Sequence, residues 1–148
     1  MPLISMPPPT ENLTQLIIGL WILQTREDYT PTGEKRIDPT LGVDPLGILS
    51  YGKKHSTAQF MKRDRSVLQE IPSYSGSNNT VATGGYDAYF GHYEVNEETG
   101  KVKHTLLGSI HQGNIGMSVN RDLRVMDDQL IIQLETTTFD GEAIIRTL

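Results

Sequence analysis

Residues 86–110 read YDAYFGHYEVNEETGKVKHTLLGSI, and this stretch decides the fold. Two runs rich in aromatic and β-branched residues, 86–95 and 102–110, flank the polar connection Asn96-Glu97-Glu98-Thr99-Gly100-Lys101. That arrangement reads as a β-hairpin. The same grammar repeats on either side. Downstream, residues 115–125 alternate, with Met117, Val119, Leu123 and Val125 on one face, and Asp127-Asp128 marks the next turn. Residues 129–138 form a further strand, and Asp140-Gly141 is a type I′ hairpin signal leading into residues 143–148. Upstream, runs at 46–51 and 56–62 enclose Gly52-Lys53-Lys54-His55, and a first strand begins near Ile18, where Trp21, Leu23 and Thr25 alternate with Ile22, Gln24 and Arg26.

The expectation is therefore an all-β chain of eight strands, starting near residues 18, 46, 56, 86, 102, 115, 129 and 142. Tight polar turns and the lack of long helical patterns predict an antiparallel up-and-down meander. Such a sheet closes into a barrel or splits into a sandwich, and an eight-stranded barrel has room for side chains or one small ligand. The stretch from Pro31 to Pro45 reads as a loop, punctuated by Gly33, Pro39, Gly42 and Asp44-Pro45. Residues 66–85 collect Pro72, Ser73, Ser75, Gly76, Ser77, Asn78, Asn79, Gly84 and Gly85, a connection long enough to predict a mobile lid. Three successive prolines, Pro7-Pro8-Pro9, make residues 1–9 a flexible arm ahead of a single barrel domain, 10–148. Thr10 or Asn12 is placed to cap a short helical turn through Leu13, Leu16 and Ile17.

Composition narrows the function. The chain has 148 residues and no cysteine, with 13 basic against 18 acidic residues. A net charge of −5 argues against a nucleic-acid partner, whose phosphates call for Lys and Arg. No apolar run reaches the length of a membrane span, and no basic residue precedes Arg26, so a cytoplasmic protein is expected, without a secretory segment or a membrane partner. His92 and His111 lack metal-ligand spacing, and no nucleophile elbow or phosphate-cradling loop occurs, so neither a metal nor another cofactor is expected.

Four segments, taken together, resemble a known family. They are Gly19-Leu20-Trp21-Ile22-Leu23, Asp44–Tyr51 followed by Ser56–Arg65, Tyr86–Val95, and Val102-Lys103-His104. In this order they are similar to the small lipocalin-like domain family of bacteria and fungi, over about residues 16–148. The resemblance implies a calycin-type barrel inside the cell, associated with small-molecule biosynthesis, and Trp21 as a plug at the barrel's base. Related lipocalin-like proteins include cofactor-free cyclases and isomerases. The chain departs from the pattern at His55, in the Ser/Asn/Gly-rich 66–85 connection, and in a final strand that lacks tryptophan.

Two residues are candidates for catalysis. His104 shares a largely apolar face with Val102, Leu106 and Ile110, which fits either a proton carrier or a hydrogen-bonded core histidine. Arg121 lies in phase with Met117, Val119, Leu123 and Val125, where a guanidinium is costly to bury without an acceptor. It is placed either to hold an anionic ligand oxygen or to pair with a carboxylate. Trp21, Tyr51, Gln59, Tyr89, Tyr93 and Met117 are the expected ligand-binding side chains. The partner is then a small organic molecule. Either a cofactor-free isomerase or cyclase or a non-catalytic carrier fits, with monomer or homodimer left open, because fold alone does not decide function.

Overall fold

The alternation in the last two-thirds of the chain folds as long antiparallel strands. A computed structural model, describing residues 12–66 and 78–148, contains one short α-helix, α1 (Leu13–Leu16), a single 3₁₀ turn at Gln112–Asn114, and ten strands. These are β1 (Gly19–Ile22), β2 (Glu27–Tyr29), β3 (Lys35–Arg36), β4 (Leu46–Tyr51), β5 (His55–Met61), β6 (Tyr86–Val95), β7 (Lys101–Ser109), β8 (Ser118–Met126), β9 (Gln129–Thr137) and β10 (Ala143–Thr147). All are antiparallel in one sheet, in the order β1-β4-β5-β6-β7-β8-β9-β10-β2-β3.

β1 and β2 stand toward opposite ends of that order, although only residues 23–26 separate them in the chain. Trp21 lies opposite Leu49 on β4, whereas Asp28 lies opposite Arg146 on β10. The segment 19–29 thus carries the curled sheet round on itself through the covalent chain. β1 pairs with β4, and no backbone hydrogen bond joins it to β9 among the described residues.

The strand count is ten rather than eight, and the two extra strands have a physical explanation. β2 and β3 fall in a region that lacks apolar alternation, because the inward residue of β2 is Asp28, neutralised by Arg146 rather than packed among hydrocarbon. A periodicity search for apolar residues passes over a strand whose buried face is charged. The helical turn forms as expected. Asn12 caps it by accepting from the Gln15 amide, and Glu97 at the β6–β7 turn accepts from the amides of Leu13 and Thr14.

α1 closes one end of the barrel. There Ile17, Tyr51, Tyr93, Val102 and Leu123 form the buried apolar core, with Trp21, Leu49, Val95, Val125, Leu130 and Ile132 packed against it. Each aliphatic or aromatic side chain so buried contributes about 1.5–3 kcal/mol. The strand register bulges between Phe90 and Gly91, where β6 crosses tightly over β7. A Cβ at Gly91 would lie 1.8 Å from the Thr105 carbonyl oxygen. Gly91→Ala is therefore expected to lower stability by about 1–3 kcal/mol or more, checked by the urea midpoint. Wild-type stability would show that the crossing is looser than described.

One strand further along the sheet the wall parts. β8 and β9 pair from Asp122–Gln133 to Met126–Gln129 and then diverge. The side-chain amide of Asn78 bridges the gap, accepting from the Asn120 amide at 2.6 Å and donating to the carbonyls of Asn120 and Glu135 at 3.0 and 3.2 Å. Of the expected lid, residues 67–77 lie outside the described residues, as does the 1–9 arm. Thr80 and Val81 are buried against the barrel.

Candidate functional site

The inward face above the apolar core is polar, and it draws six residues from five separate segments. Arg26 precedes β2, Asp28 is on β2, Asp38 follows β3, Asp87 is on β6, Arg121 on β8 and Arg146 on β10. Arg146 makes a two-pronged bond to Asp28, at 2.8 and 3.0 Å, and approaches Asp38 at 3.6 Å. Arg26 meets Asp38 at 3.0 Å. Burial would raise the Asp38 carboxyl, but the two guanidinium groups beside it hold it below the usual carboxylate range. Two arginines and two aspartates are therefore mutually satisfied.

Arg121 is not. It is only 8% exposed, and among the described residues its guanidinium donates to backbone carbonyls alone, those of Asn78 at 2.7 Å and Asn120 at 3.0 Å. Burial pulls its pKa down, while Tyr89, Tyr51 and Asp87 are near enough to oppose that shift. Asp87, 5% exposed, accepts from the Thr80 hydroxyl on one oxygen at 2.5 Å, and its other oxygen, Oδ1, has no partner among the described residues. Burial pushes this carboxyl up to about 6, against the Thr80 hydrogen bond and the charge of Arg26.

On the far side of Arg121, Tyr51 Oη and His104 Nε2 lie 2.5 Å apart, and His104 Nδ1 has no partner among the described residues. Burial and then the nearby Arg121 charge hold the imidazole neutral, with its pKa down to about 3, and burial raises the Tyr51 phenol. The sign of the resulting pH dependence is fixed. Unfolded, the histidine takes a proton near pH 6.5; folded, it does so near 3. Between those values the unfolded chain binds the extra proton, so stability falls as pH drops from about 6.5, by up to about 1.4 kcal/mol per pH unit. Asp87 acts in the opposite sense over about pH 4 to 6, so the check is a difference between two proteins. His104→Gln is expected to lose less stability than wild type between pH 7 and pH 4.5. Equal losses would contradict a buried neutral imidazole.

Several hollows adjoin these groups or lie beside them, and two share a wall. An open groove of about 580 Å³ runs between β1 and the start of β9, walled by Trp21, Leu23, Leu49, Leu130 and Ile132 among others. A smaller hollow of about 40 Å³ is lined by Arg26, Asp38, Thr80, Asp87, Arg121 and Arg146. Phe60 and Leu148 belong to both walls, so the apolar groove and the polar hollow lie on either side of these two side chains. The second space holds a polar group of a few atoms, not a ring.

Of the expected site residues, Arg121 lines the polar hollow and Trp21 the groove, where its indole donates to the Ile17 carbonyl. His104 and Tyr51 are brought together behind Arg121 and line neither hollow. Tyr89 is half-buried in phase with Asp87, and burial raises its phenol. The Tyr93 hydroxyl is committed to the Gly52 carbonyl at 2.6 Å, and Met117 is half-buried just ahead of β8. Gln59 is a correction. It points outward from β5 and accepts from the Tyr86 hydroxyl at 2.7 Å, because the period of two turns Ser56, Ala58 and Phe60 inward. Two of those three are small or polar, so hydropathy gave no phase to read.

Sequence reasoning missed Asp87, Arg26, Asp28, Asp38 and Arg146. Asp87 carried the same signal as Arg121, a charge in phase with a buried neighbour, Tyr93, whereas the strand around Arg146 is too short to show a phase. Asp38, in a loop, carried none.

A curled antiparallel sheet carried round on itself by its first strand, capped at one end and polar in its upper part, defines the class of lipocalin-like barrels. Residues 18–143 match the model of the lipocalin-like domain family, and the chain belongs to that family. A domain of this kind is a barrel suited to small hydrophobic ligands. No curated protein and no solved structure matches the chain. Among the described residues, no helix is long and apolar enough to cross a membrane, and no three His, Asp or Glu side chains gather as a metal-binding group.

Proposed function

We propose that the barrel binds a small organic molecule with an apolar body and an oxygen-bearing head, and acts on it as a cofactor-free isomerase or cyclase. The observation that carries this reading is Arg121, a buried guanidinium held, among the described residues, by carbonyls alone, and the charged neighbour of two buried atoms that have no partner among those residues, Asp87 Oδ1 and His104 Nδ1. Buried polar atoms are seldom left unpaired without a function. The groove accommodates the body, and the head reaches past Phe60 and Leu148 to Arg121. There the guanidinium stabilises negative charge as it develops on the ligand oxygen, in a site already shielded from water.

Asp87 is the group suited to exchanging a proton with the ligand, since its pKa of about 6 lies nearest neutrality. An imidazole as weakly basic as His104 is a poor proton acceptor, so its part is that of a positioning residue that fixes the Tyr51 hydroxyl. The apolar walls of the groove favour a second reading, a carrier that holds the same kind of molecule unchanged.

Native mass spectrometry of the freshly purified protein, followed by return of any released compound to fresh protein, separates the two. Conversion of the compound supports the isomerase or cyclase; recovery of it unchanged makes the barrel a carrier. A protein that retains nothing and binds no apolar probe would overturn both.

A further inference from the structure

The charges around the small hollow do not balance until Asp87 is counted. Three guanidinium groups, Arg26, Arg121 and Arg146, face it, and Asp28 and Asp38 neutralise two of them. The third, Arg121, is left with one carboxyl nearby, and that carboxyl makes no direct ion pair with it among the described residues. An ionised Asp87 completes neutrality at a distance. A protonated Asp87 leaves one uncompensated positive charge, in a hollow with room for a polar group of a few atoms.

Resting on the function proposed above, we propose that the ligand's head is a monoanion, that it seats against Arg121, and that Asp87 takes up one proton as it binds. An anion beside an ionised Asp87 is repelled within a low-dielectric pocket, so the complex selects the neutral carboxyl. The free Oδ1 then changes from an unpaired acceptor to a donor that can point at the incoming anion. Thr80 keeps hold of Oδ2 in either state. The groups facing Asp87 are Arg26 and Asp38 from the first third of the chain, Thr80 and Tyr89 beside it, and Arg121 from β8. Among these, Asp38 is locked as a carboxylate by its two arginines. The neutral His104 lies beyond Arg121. Asp87 is thus the one of these groups poised to change charge between pH 5 and 8.

Calorimetry with two probes sharing one body tests this. Octanesulfonate stays ionised over pH 5–8, and 1-octanol is uncharged. In wild type the octanesulfonate Kd is expected to rise about tenfold or more from pH 5 to pH 8, as one carboxyl changes state. The heat at pH 8, measured in buffers of different ionisation enthalpy, should report about one proton taken up per ligand. Octanol should bind equally at both pH values. Asp87→Asn should bind octanesulfonate at pH 8 as wild type does at pH 5, without proton uptake, and a cooperative urea transition would report that the variant is folded. Octanesulfonate binding that ignores pH while octanol still binds would overturn the anion proposal alone, as would proton uptake that survives in Asp87→Asn. Failure of both probes to bind wild type would overturn the proposed function as well.

Discussion

Arg146→Met is expected to cost the fold about 3–5 kcal/mol, read as a lower urea midpoint with an unchanged slope. The side chain sits almost wholly inside the barrel, with a two-pronged bond to Asp28 across the β10–β2 pair and a further contact with Asp38. Removing the guanidinium leaves the Asp28 carboxylate buried and uncompensated, which is the expensive outcome. Removing both charges is not, because two well-packed apolar side chains need no counter-ion. The double variant Asp28→Leu, Arg146→Met is therefore expected to recover most of the loss. If it is as unstable as the single variant, the cost lies in lost volume and strand pairing rather than in the orphaned charge.

Arg121→Met should behave in the opposite way, leaving the fold in place and removing the proposed isomerase or cyclase activity. Its guanidinium touches two backbone carbonyls, and one of them, from Asn120, also accepts from the Asn78 side chain. Stability is expected to change by no more than about 3 kcal/mol, because the charge-assisted bonds lost to two carbonyls are offset by no longer burying a guanidinium without a carboxylate. Turnover of the retained compound should fall about 10²–10³-fold, the usual effect of removing a donor aimed at developing negative charge. Octanesulfonate affinity should fall with it while octanol binding persists. Wild-type turnover in Arg121→Met would remove this residue from the chemistry altogether.

The two arginines also mark how far the sequence could be read. Arg121 stood out because Val119 and Leu123 frame it in clean alternation, and β8 keeps that alternation from end to end. Arg146 sits in a strand of five residues, too short for a period to declare itself beside Ile144 and Ile145. The hairpins from β6 to β10 were legible because their buried faces are mostly apolar and their turns polar. β2 and β3 were not, since Asp28 fills an inward position with charge. The outward direction of Gln59 is illegible for a related reason: Ser56 and Ala58 leave β5 without a hydrophobic side to contrast with its polar one. The partnership of Arg26 with Asp38 depends on how a loop returns over the barrel, and no local pattern encodes that.

The gap in pairing between β1 and the start of β9 has a mechanical consequence. In a fully laddered barrel, strand number and shear fix the girth. Here the circuit is completed by covalent chain at residues 23–26 rather than by a rung of hydrogen bonds, so the cylinder is a split ring. Spreading its two lips breaks no backbone bond between them; it only exposes more of Leu130, Ile132 and Trp21. The bore can thus follow the thickness of what it holds, at a cost counted in wetted hydrocarbon rather than in severed strands.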